Sequence, residues 1–494
     1  MTTHRLGTAA LAVALVALTP LPVQAAEQPN ILWIIVDDMS ANLSSYGETV
    51  IETPHLDRLA SRGVRFTNAY VTAPVCSPNR SAFITGMYQT SIGAHHHNSS
   101  QGELKIHLPP GIRPIPELFQ EAGYYTAITG WPNTDRATIG KTHYNFEWDP
   151  AIYDGPDWSQ RRPGQPFFAQ VHLPGGKHRG RSLESFRQIS DRVERLLGSR
   201  TEPSSVKLPP YYPNDPVLLA DWAAYLDSVR LTDKFVGDVI ERLEDEGDLE
   251  DTVVLFMTDH GISHARGKQF LYDEGMHVPL VIAGPTIEPG QVRDDLVEHI
   301  DIAALSLALA GIEIPDHMHA RDILARDYQK RTAVFAARDR CDETVDYIRA
   351  LRTTRFKYIR NFLPNRPHLQ PNLYKDGKSI VIALREAHAA GTLNETQQLL
   401  FAPTRPAEEL YDLSDDPFEV RNLAGDPKHQ AQLKKLRKRL DDWIERTNDH
   451  GAESAAMYDS EMAAYSARVS ANPESAAILS HNIALMKRWA AEGR

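Results

Sequence analysis

The sequence predicts an α/β fold in which helices cover a sheet of buried parallel strands. Short, continuous apolar runs at residues 31–36, 124–129, 167–171 and 253–257 are typical of strands that are buried on both faces. Amphipathic stretches alternate with these runs. The longest of them, residues 218–243, predicts a helix that packs on the sheet.

A second, smaller unit follows the main sheet. From about residue 335 the pattern changes, and residues 346–362 predict a strand, a turn and a strand of an antiparallel sheet. Residues 430–447 predict an amphipathic helix with a solvated basic side. We therefore expect a main domain over residues 26–335 and a C-terminal subdomain over residues 336–494, a division that suits a chain of 494 residues.

Composition and charge exclude some classes of protein. Hydrophobic residues make up 42% and charged residues 24% of the chain, which is ordinary for a globular protein. The formal net charge of −12 argues against electrostatic binding of nucleic acid. An enzyme for polyanions would have to concentrate positive charge around its site. Residues 179–216 are polar and contain prolines, and they predict an excursion over the surface.

The N-terminus has the pattern of a secretory signal peptide over residues 1–25. Arg5 is followed by an apolar stretch at residues 6–18, then by Pro20 and Pro22 and a small-residue cleavage site. The apolar stretch is shorter than the roughly 20 residues that a membrane-spanning helix needs. We expect an exported protein, periplasmic or secreted, without stable insertion in a membrane.

Residues 75–86, with the sequence V-C-S-P-N-R-S-A-F-I-T-G, contain the strongest candidate for a reactive centre. Ser77-Pro78 is a favourable start for a helix, because proline at the first helical position loses no needed N–H. Cys76 would then lie where the positive end of the helix favours an anion. Arg80, one turn later, would add a fixed positive charge at the same place.

Acidic residues follow two of the predicted strands. Asp37 and Asp38 come directly after residues 31–36, and Asp259 and His260 follow residues 253–257. Solvated turns would be the ordinary interpretation of such acids. The carboxyl ends of parallel strands share one edge of a sheet, where ligands bind in open α/β proteins. Adjacent buried carboxylates need a compensating cation, which favours a metal site.

The segment C-S-P-N-R at residues 76–80 resembles the C-x-P-x-R signature of type I sulfatases, which belong to the alkaline-phosphatase superfamily. Further motifs occur in the family's order, and the resemblance covers nearly the whole mature chain. They are D-D at residues 37–38, G-K-T-H at 140–143, D-H-G at 259–261, Y-D-E-G at 272–275 and E-L-Y-D-L at 409–413. The resemblance implies a large, mixed, mostly parallel sheet between helices, with a small C-terminal antiparallel sheet-plus-helix subdomain.

The resemblance also implies a modified residue and a metal ion. In the family the signature cysteine, here Cys76, is converted to formylglycine (3-oxoalanine) by a formylglycine-generating enzyme before folding. One Ca²⁺ per chain would be held by the following residues: Asp37, Asp38, Cys76, Asp259 and His260. An exported protein with only Cys76 and Cys341 could instead form a disulfide. The two interpretations exclude each other.

The family's remaining site residues carry over to matching positions. Sulfate-binding and proton-transferring roles fall on Arg80, Lys141, His143, His178, Lys268 and His264. Lys177 and His172 are alternatives to His178, because the family places a sulfate-binding histidine after this strand without fixing which residue it is here. Residues 131–139 intervene before Lys141 and form an insertion relative to most relatives.

The resemblance implies a sulfatase that hydrolyses sulfate esters on a carbohydrate, either a polysaccharide or a glycosaminoglycan oligosaccharide, and so serves polysaccharide degradation. Trp131, Trp148 and Trp158, with the histidines at residues 95–97, are expected near the mouth of the site. Residues 338–343 are similar to a segment of relatives that act on glycosaminoglycan or algal sugars. Two alternatives remain open: a phosphoester or phosphonate hydrolase of the same superfamily, and a catalytically silent sugar-binding relative whose Cys76 is not oxidised.

Overall fold

A computed structural model describes residues 28–494 of the chain. The predicted signal peptide, residues 1–25, lies outside the described residues. Across residues 28–494 no helix is both long enough and apolar enough to cross a membrane.

A seven-stranded sheet forms the centre of the main unit. The strands are β1 (Asn30–Val36), β2 (Gly63–Tyr70), β3 (Tyr125–Thr129), β4 (Phe167–Leu173), β5 (Thr252–Thr258), β6 (His277–Ala283) and β7 (Gln291–Glu298). Their order is β3-β4-β1-β5-β6-β2-β7, and β6 alone runs antiparallel to its two neighbours. The predicted mixed, mostly parallel sheet is therefore confirmed.

Helices cover both faces of this sheet. The helices of the main unit are α1 (Pro54–Ser61), α2 (Cys76–Thr85), α3 (Ile115–Glu121), α4 (Leu183–Leu197), α5 (Pro216–Asp245), α6 (Asp273–Met276) and α7 (Asp301–Leu309). Apolar residues of α1, α4 and α5 form one core with one face of the sheet. Residues of α2, α3 and α7 form a second core with the other face.

The central strand β1 shows why its sequence is continuously apolar. Leu32 and Ile34 face the first core, whereas Ile31 and Trp33 face the second, and all four are fully buried. Trp33 packs edge-on against aromatic rings of α2 and β4, and its indole N–H donates to Ser306 Oγ at 2.8 Å. Alternation between two cores leaves no solvent-facing position in the strand.

Residues 179–216, expected to form a polar excursion over the surface, contain a helix that the sequence analysis did not predict. This helix is α4, with 15 residues. Phe186, Ile189 and Val193 recur at helical spacing and are buried in the first core, while the other face of the helix is polar and exposed. A side-chain cap at Ser182 starts the helix, and Gly198 in the left-handed conformation ends it.

The predicted C-terminal subdomain is also present as an antiparallel sheet with helices. Its strands are β8 (Val334–Arg338), β9 (Ile348–Arg352), β10 (Phe356–Asn361) and β11 (Glu408–Asp412), in the order β11-β10-β9-β8. Its helices are α8 (Leu373–Asp376), α9 (Ser379–Ala389), α10 (Glu395–Gln398), α11 (Gln430–Arg446), α12 (Ala455–Val469) and α13 (Pro473–Ala491). Strand β8 begins before residue 336, so the predicted domain boundary passes through this strand.

Replacement of Trp33 by alanine is expected to lower the free energy of unfolding by about 3–5 kcal/mol, because it removes a fully buried indole and its hydrogen bond. Urea unfolding followed by circular dichroism measures the change. The control Ile139→Ala alters a side chain that is 66% exposed and should change the free energy of unfolding by less than about 0.5 kcal/mol. Equal effects of the two substitutions would contradict the assigned core.

Candidate active site

A cavity of about 410 Å³, lined mainly by charged and hydrogen-bonding residues, opens beside the carboxyl ends of β1 and β5, where the sequence places its strand-end acids. Its lining includes Asp38, Cys76, His143, Lys177 and Lys268. The parallel register of β1 with β5 brings Val36 opposite Thr258. The acids that follow these two residues therefore lie side by side.

Helix α2 presents Cys76 to this cavity. The helix begins at Cys76 itself, after the extended residue Val75, so Pro78 is its third residue rather than its first. Its missing N–H is still one of those that a helix leaves unpaired at its start. Every residue of α2 is buried. The Asn79 amide anchors the helix by donating to the Asp259 carbonyl oxygen at 2.7 Å.

The Cys76 sulfur lies among charged groups. Its Sγ is 3.1 Å from Lys268 Nζ, 3.2 Å from His260 Nε2 and 3.8 Å from Lys177 Nζ. Burial raises the pKa of the Cys76 thiol, but the surrounding lysines, Lys141 among them, outweigh it and hold the pKa well below its usual value. The surroundings of residue 76 therefore favour the negatively charged thiolate form of its side chain, which is the nucleophilic form.

Asp37 forms ion pairs with three basic side chains. Its carboxylate accepts from Arg80 at 2.5 Å, from Lys141 at 2.9 Å and from Lys177 at 2.5 Å. Arg80 also donates to Asp259 Oδ2 at 3.1 Å, so it ties the ends of β1 and β5 together. Burial raises the pKa of Asp37, but its cations outweigh that effect and hold the pKa well below its usual value.

Four of the five predicted metal ligands form one group. Asp38, Cys76, Asp259 and His260 each offer one donor atom, these atoms lie within 4.8 Å of one another, and all four residues are buried. His260 Nδ1 lies 2.8 Å from the Gly261 carbonyl oxygen, so it can keep its hydrogen while Nε2 faces the other three donors, 3.1 Å from Asp38 Oδ1. The donor set therefore fits a divalent cation. Asp37 lies beside this group, but its carboxylate oxygens are already paired with the side chains of Arg80, Lys141 and Lys177.

Burial and the charge of Asp37 raise the pKa of Asp259 to about 6. Burial lowers the pKa of His260, but the neighbouring Asp259 and Cys76 outweigh it and raise the pKa to about 10. Both shifts have the direction expected where several acidic groups are buried close together. A bound cation would compensate their negative charge.

The insertion at residues 131–139 does not displace Lys141. The chain leaves at the end of β3 and returns to it, since the Gly140 N–H donates to the Ile128 carbonyl oxygen at 3.1 Å. A Cβ at position 140 would lie 2.6 Å from the Thr129 carbonyl oxygen, so this return requires glycine. The next residue, Lys141, then reaches Asp37. His143 also lines the cavity, with Nε2 2.6 Å from Asn98 Oδ1.

In the turn after β4 it is Lys177, and not His178, that reaches the cavity. A Cβ at Gly176 would lie 2.1 Å from the Asp38 carbonyl oxygen, and this close approach aims Lys177 at Asp37. The His178 ring instead packs near Phe235, with centroids 6.0 Å apart, and it does not line the cavity. His172 lies behind the site, where its Nδ1 accepts from Arg80 at 3.1 Å.

The other histidines are divided between the cavity and the core. His264 does not reach the cavity: it lies beside Asp221 at 3.4 Å, and its ring is 4.2 Å from that of Tyr212. Of the three successive histidines only His97 lines the cavity, and its Nδ1 is paired with Ser77 Oγ at 2.8 Å. The expected aromatic mouth is absent from the described lining, which contains none of the three tryptophans Trp131, Trp148 and Trp158.

Sequence reasoning missed several side chains of the lining, among them Arg181, Tyr374 and Lys378. Asp342 lies in the segment 338–343 that the sequence singled out, and its carboxylate accepts from Asn98 Nδ2 at 2.7 Å. Nothing near Tyr374 or Lys378 in the sequence marks them, because they reach the cavity only through the placement of α8 and the start of α9.

The two cysteines are not bonded to each other. Both Cys76 and Cys341 are free and buried, which contradicts the disulfide alternative. Burial raises the pKa of the Cys341 thiol to about 12, so this residue is an unreactive core group.

Comparison with known proteins decides the family. The sulfatase family model matches residues 29–312, which is more than half of the chain. The chain belongs to the sulfatase family. It is therefore a sulfuric ester hydrolase, as the sequence motifs predicted. A second model, described as the C-terminal part of N-sulphoglucosamine sulphohydrolase, matches residues 260–380.

This sulfatase is similar along most of its length to curated relatives. An ulvan-active sulfatase from Formosa agariphila is 33% identical over 462 residues, covering 86% of this chain and 76% of the relative. Human N-sulphoglucosamine sulphohydrolase is 27% identical over 467 residues, covering 85% and 90% respectively. A phosphonate monoester hydrolase from Silicibacter pomeroyi shares the fold, with a TM-score of 0.56 and 20% identity over 86% of this chain and 96% of that one.

The charge around Cys76 predicts its reactivity in protein made without the maturing enzyme. Iodoacetamide should alkylate Cys76 near neutral pH and leave Cys341 unmodified, because only Cys76 has a lowered thiol pKa. Substitution Lys268→Met removes a cation that favours the thiolate, so the pKa should rise and alkylation at pH 7 should slow. Mass spectrometry of the cysteine peptides over a pH series measures both.

The control Lys435→Met, on the exposed side of α11, should leave the pH profile of alkylation unchanged. Alkylation of Cys76 that begins only above the usual thiol pKa, in wild type and in Lys268→Met alike, would contradict this account of the site.

Proposed function

We propose that this sulfatase removes sulfate from a sulfated carbohydrate, using a hydrated formylglycine at position 76 together with one Ca²⁺. The observation that carries the proposal is the position of Cys76. It starts a fully buried helix, faces two strand-end carboxylates and lies 3.1 Å from a lysine ammonium group. This arrangement can hold both a nucleophile at position 76 and the sulfate group that it attacks.

Modification of Cys76 supplies the nucleophile that a thiol cannot. A thiolate attacking sulfur would leave an ester with no easy exit, whereas the hydrated aldehyde offers one hydroxyl for attack and another that expels sulfate as the carbonyl re-forms. Asp38, Asp259 and His260 surround this position and would hold the cation. When bound, a divalent cation would act as a Lewis acid and orient the nucleophile. Oxygen-rich ligands suit Ca²⁺.

The cations around Cys76 are suited to bind the sulfate group before reaction. The ammonium groups of Lys268 and Lys177 lie 3.1 and 3.8 Å from Cys76 Sγ. Lys141 lies close by, paired with Asp37. Arg80 pairs with the carboxylates of Asp37 and Asp259, which keep its positive charge in a fixed position beside Cys76. Because these charges are in place beforehand, they stabilise the transferring group without reorganisation. His143 lines the same cavity and is the candidate proton donor to the leaving oxygen.

A carbohydrate substrate is supported by the names of the similar proteins, which refer to ulvan and to N-sulphoglucosamine. Charged and hydrogen-bonding side chains make up most of the cavity lining, as a sugar requires. The chain as a whole carries a net charge of −12, so the basic residues around Cys76 provide the local attraction that a polyanion needs. The predicted signal peptide agrees with export toward such polymers.

Parallel assays with a 4-nitrophenyl sulfate, phosphate and phosphonate ester test the chemistry. We expect hydrolysis of the sulfate ester to dominate, to require Ca²⁺ after treatment with a chelator, and to fall by at least about 10³-fold in Cys76→Ala. Release of free sulfate from sulfated oligosaccharides, measured by ion chromatography, tests the carbohydrate. Faster hydrolysis of the phosphate or phosphonate ester would replace the proposal with the corresponding alternative.

Adjacent residues of the turn after β4 provide a matched pair for the sulfate-binding role. Lys177→Met should lower kcat/KM for an aryl sulfate by about 10²-fold, because it removes a preorganised cation at the sulfate position. His178→Gln should stay within about threefold of wild type, since its ring faces Phe235 rather than the cavity. A larger loss in His178→Gln than in Lys177→Met would contradict the assignment.

A further inference from the structure

The cations that line the cavity fall into two groups. Lys177, Arg179 and Lys268 each pair with a buried carboxylate, at N–O distances of 2.5, 2.8 and 3.1 Å. Arg181 and Lys378 line the same cavity, and neither has an ion-pair partner among residues 28–494. We refer to Arg181 and Lys378 as the rim cations.

Both rim cations contact one aromatic ring. The guanidinium carbon of Arg181 lies 4.4 Å from the ring centroid of Tyr374, and Lys378 Nζ lies 4.9 Å from it. The ammonium group of Lys268, which touches Cys76 Sγ, lies 5.2 Å from the same centroid. The rim cations and Lys268 therefore all lie next to the same tyrosine ring.

The rim cations are held in place by their surroundings. Lys378 is buried, and its ammonium group donates to Ser263 O at 2.8 Å and to Ser263 Oγ at 2.7 Å. The phenol oxygen of Tyr374 lies 3.2 Å from the same Ser263 Oγ. Burial of a lysine without a carboxylate is costly, so an anionic ligand would relieve it. Arg181 is exposed but is restrained by its stacking on Tyr374.

We propose that the rim cations bind a second anionic oxygen group of the substrate, a carboxylate or a second sulfate, next to the sulfate that is hydrolysed. The inference rests on the proposed function, since it assigns the class of substrate at the same cavity. Arginine offers a planar pair of donors that matches a carboxylate or sulfate, and lysine adds a point charge. The preferred substrate is then a sulfated sugar that carries another negative group nearby.

A different part of the lining would determine the orientation of such a substrate. Asp342 accepts a hydrogen bond from Asn98, while His97 Nε2 lies 3.9 Å from the Asp342 carboxylate and His143 Nε2 lies 2.6 Å from Asn98 Oδ1. An acid in this place repels anions and accepts hydrogen bonds from hydroxyl or amine groups. The sugar would therefore direct its second anionic group to the rim cations beside Tyr374, and its neutral or hydrogen-bond-donating groups to Asp342.

Calorimetric binding to the inactive Cys76→Ser protein tests the inference without turnover. The probes are a sulfated disaccharide with a uronate residue, the same disaccharide with its carboxyl group reduced to an alcohol, and the pair glucosamine 2-N-sulfate and glucosamine 2-N,6-O-disulfate. We expect the compound with the extra anion to bind about tenfold more tightly in at least one pair, as one charge-assisted contact allows. Which pair shows the difference distinguishes a carboxylate from a second sulfate.

Substitutions on the Cys76→Ser background locate the effect. Arg181→Gln and Lys378→Gln should each reduce the preference for the extra anion, and the double substitution should abolish it. The control Arg187→Gln, at an exposed position of α4 that is 73% accessible, should leave the preference intact. Equal affinities within both pairs, or a preference that survives the double substitution, would overturn the inference. Sulfate release by the unsubstituted, matured enzyme tests the proposed function separately, so either can fail alone.

Discussion

Buried Arg80 and Lys268 and half-buried Lys141 and Lys177 surround one sulfur atom together with Asp37, Asp38 and Asp259, and the rest of the structure depends on keeping them there. Burial of so many charges is tolerated only when each finds a partner at hydrogen-bonding distance. Arg80 is central to this arrangement, because it donates to acids from two different strands. The cluster therefore links β1, β5 and α2 into one unit.

The fold supplies this cluster through simple geometry. Two adjacent parallel strands end in acids at the same edge of the sheet, and a fully buried helix begins opposite them. The close approach of Gly176 to the backbone of Asp38 brings Lys177 over the acids. The C-terminal part of the chain then closes the cavity with Asp342, Tyr374 and Lys378. The site consequently combines a charge cluster from the main sheet with a wall from the smaller unit.

Much of this could be predicted from the sequence, and the reasons for the failures are physical. Continuous apolar runs identified the buried strands, and the acids after them identified the sheet edge. The direction of β6 could not be predicted, because an apolar run of its length reads alike in parallel and antiparallel pairing. Helix α4 was missed because only three of its residues, Phe186, Ile189 and Val193, are buried in a polar segment.

The site shows the same division. Cys76, Arg80, Asp38 and Asp259 converge as their motifs predicted. The choice between Lys177 and His178 could not be made, because it depends on which side chain of a tight turn faces inward. Tyr374 and Lys378 could not be found, because about 300 residues separate them from Cys76 and only tertiary packing brings them near it.

The central claim is that Cys76 is the precursor of the nucleophile in this charge cluster. Mass spectrometry of the tryptic peptide spanning Phe66 to Arg80, taken from exported protein that releases sulfate, tests it most directly. The account predicts the mass of formylglycine in place of cysteine, with an aldehyde that reacts with a hydrazine reagent. An unmodified thiol in fully active protein would contradict the account.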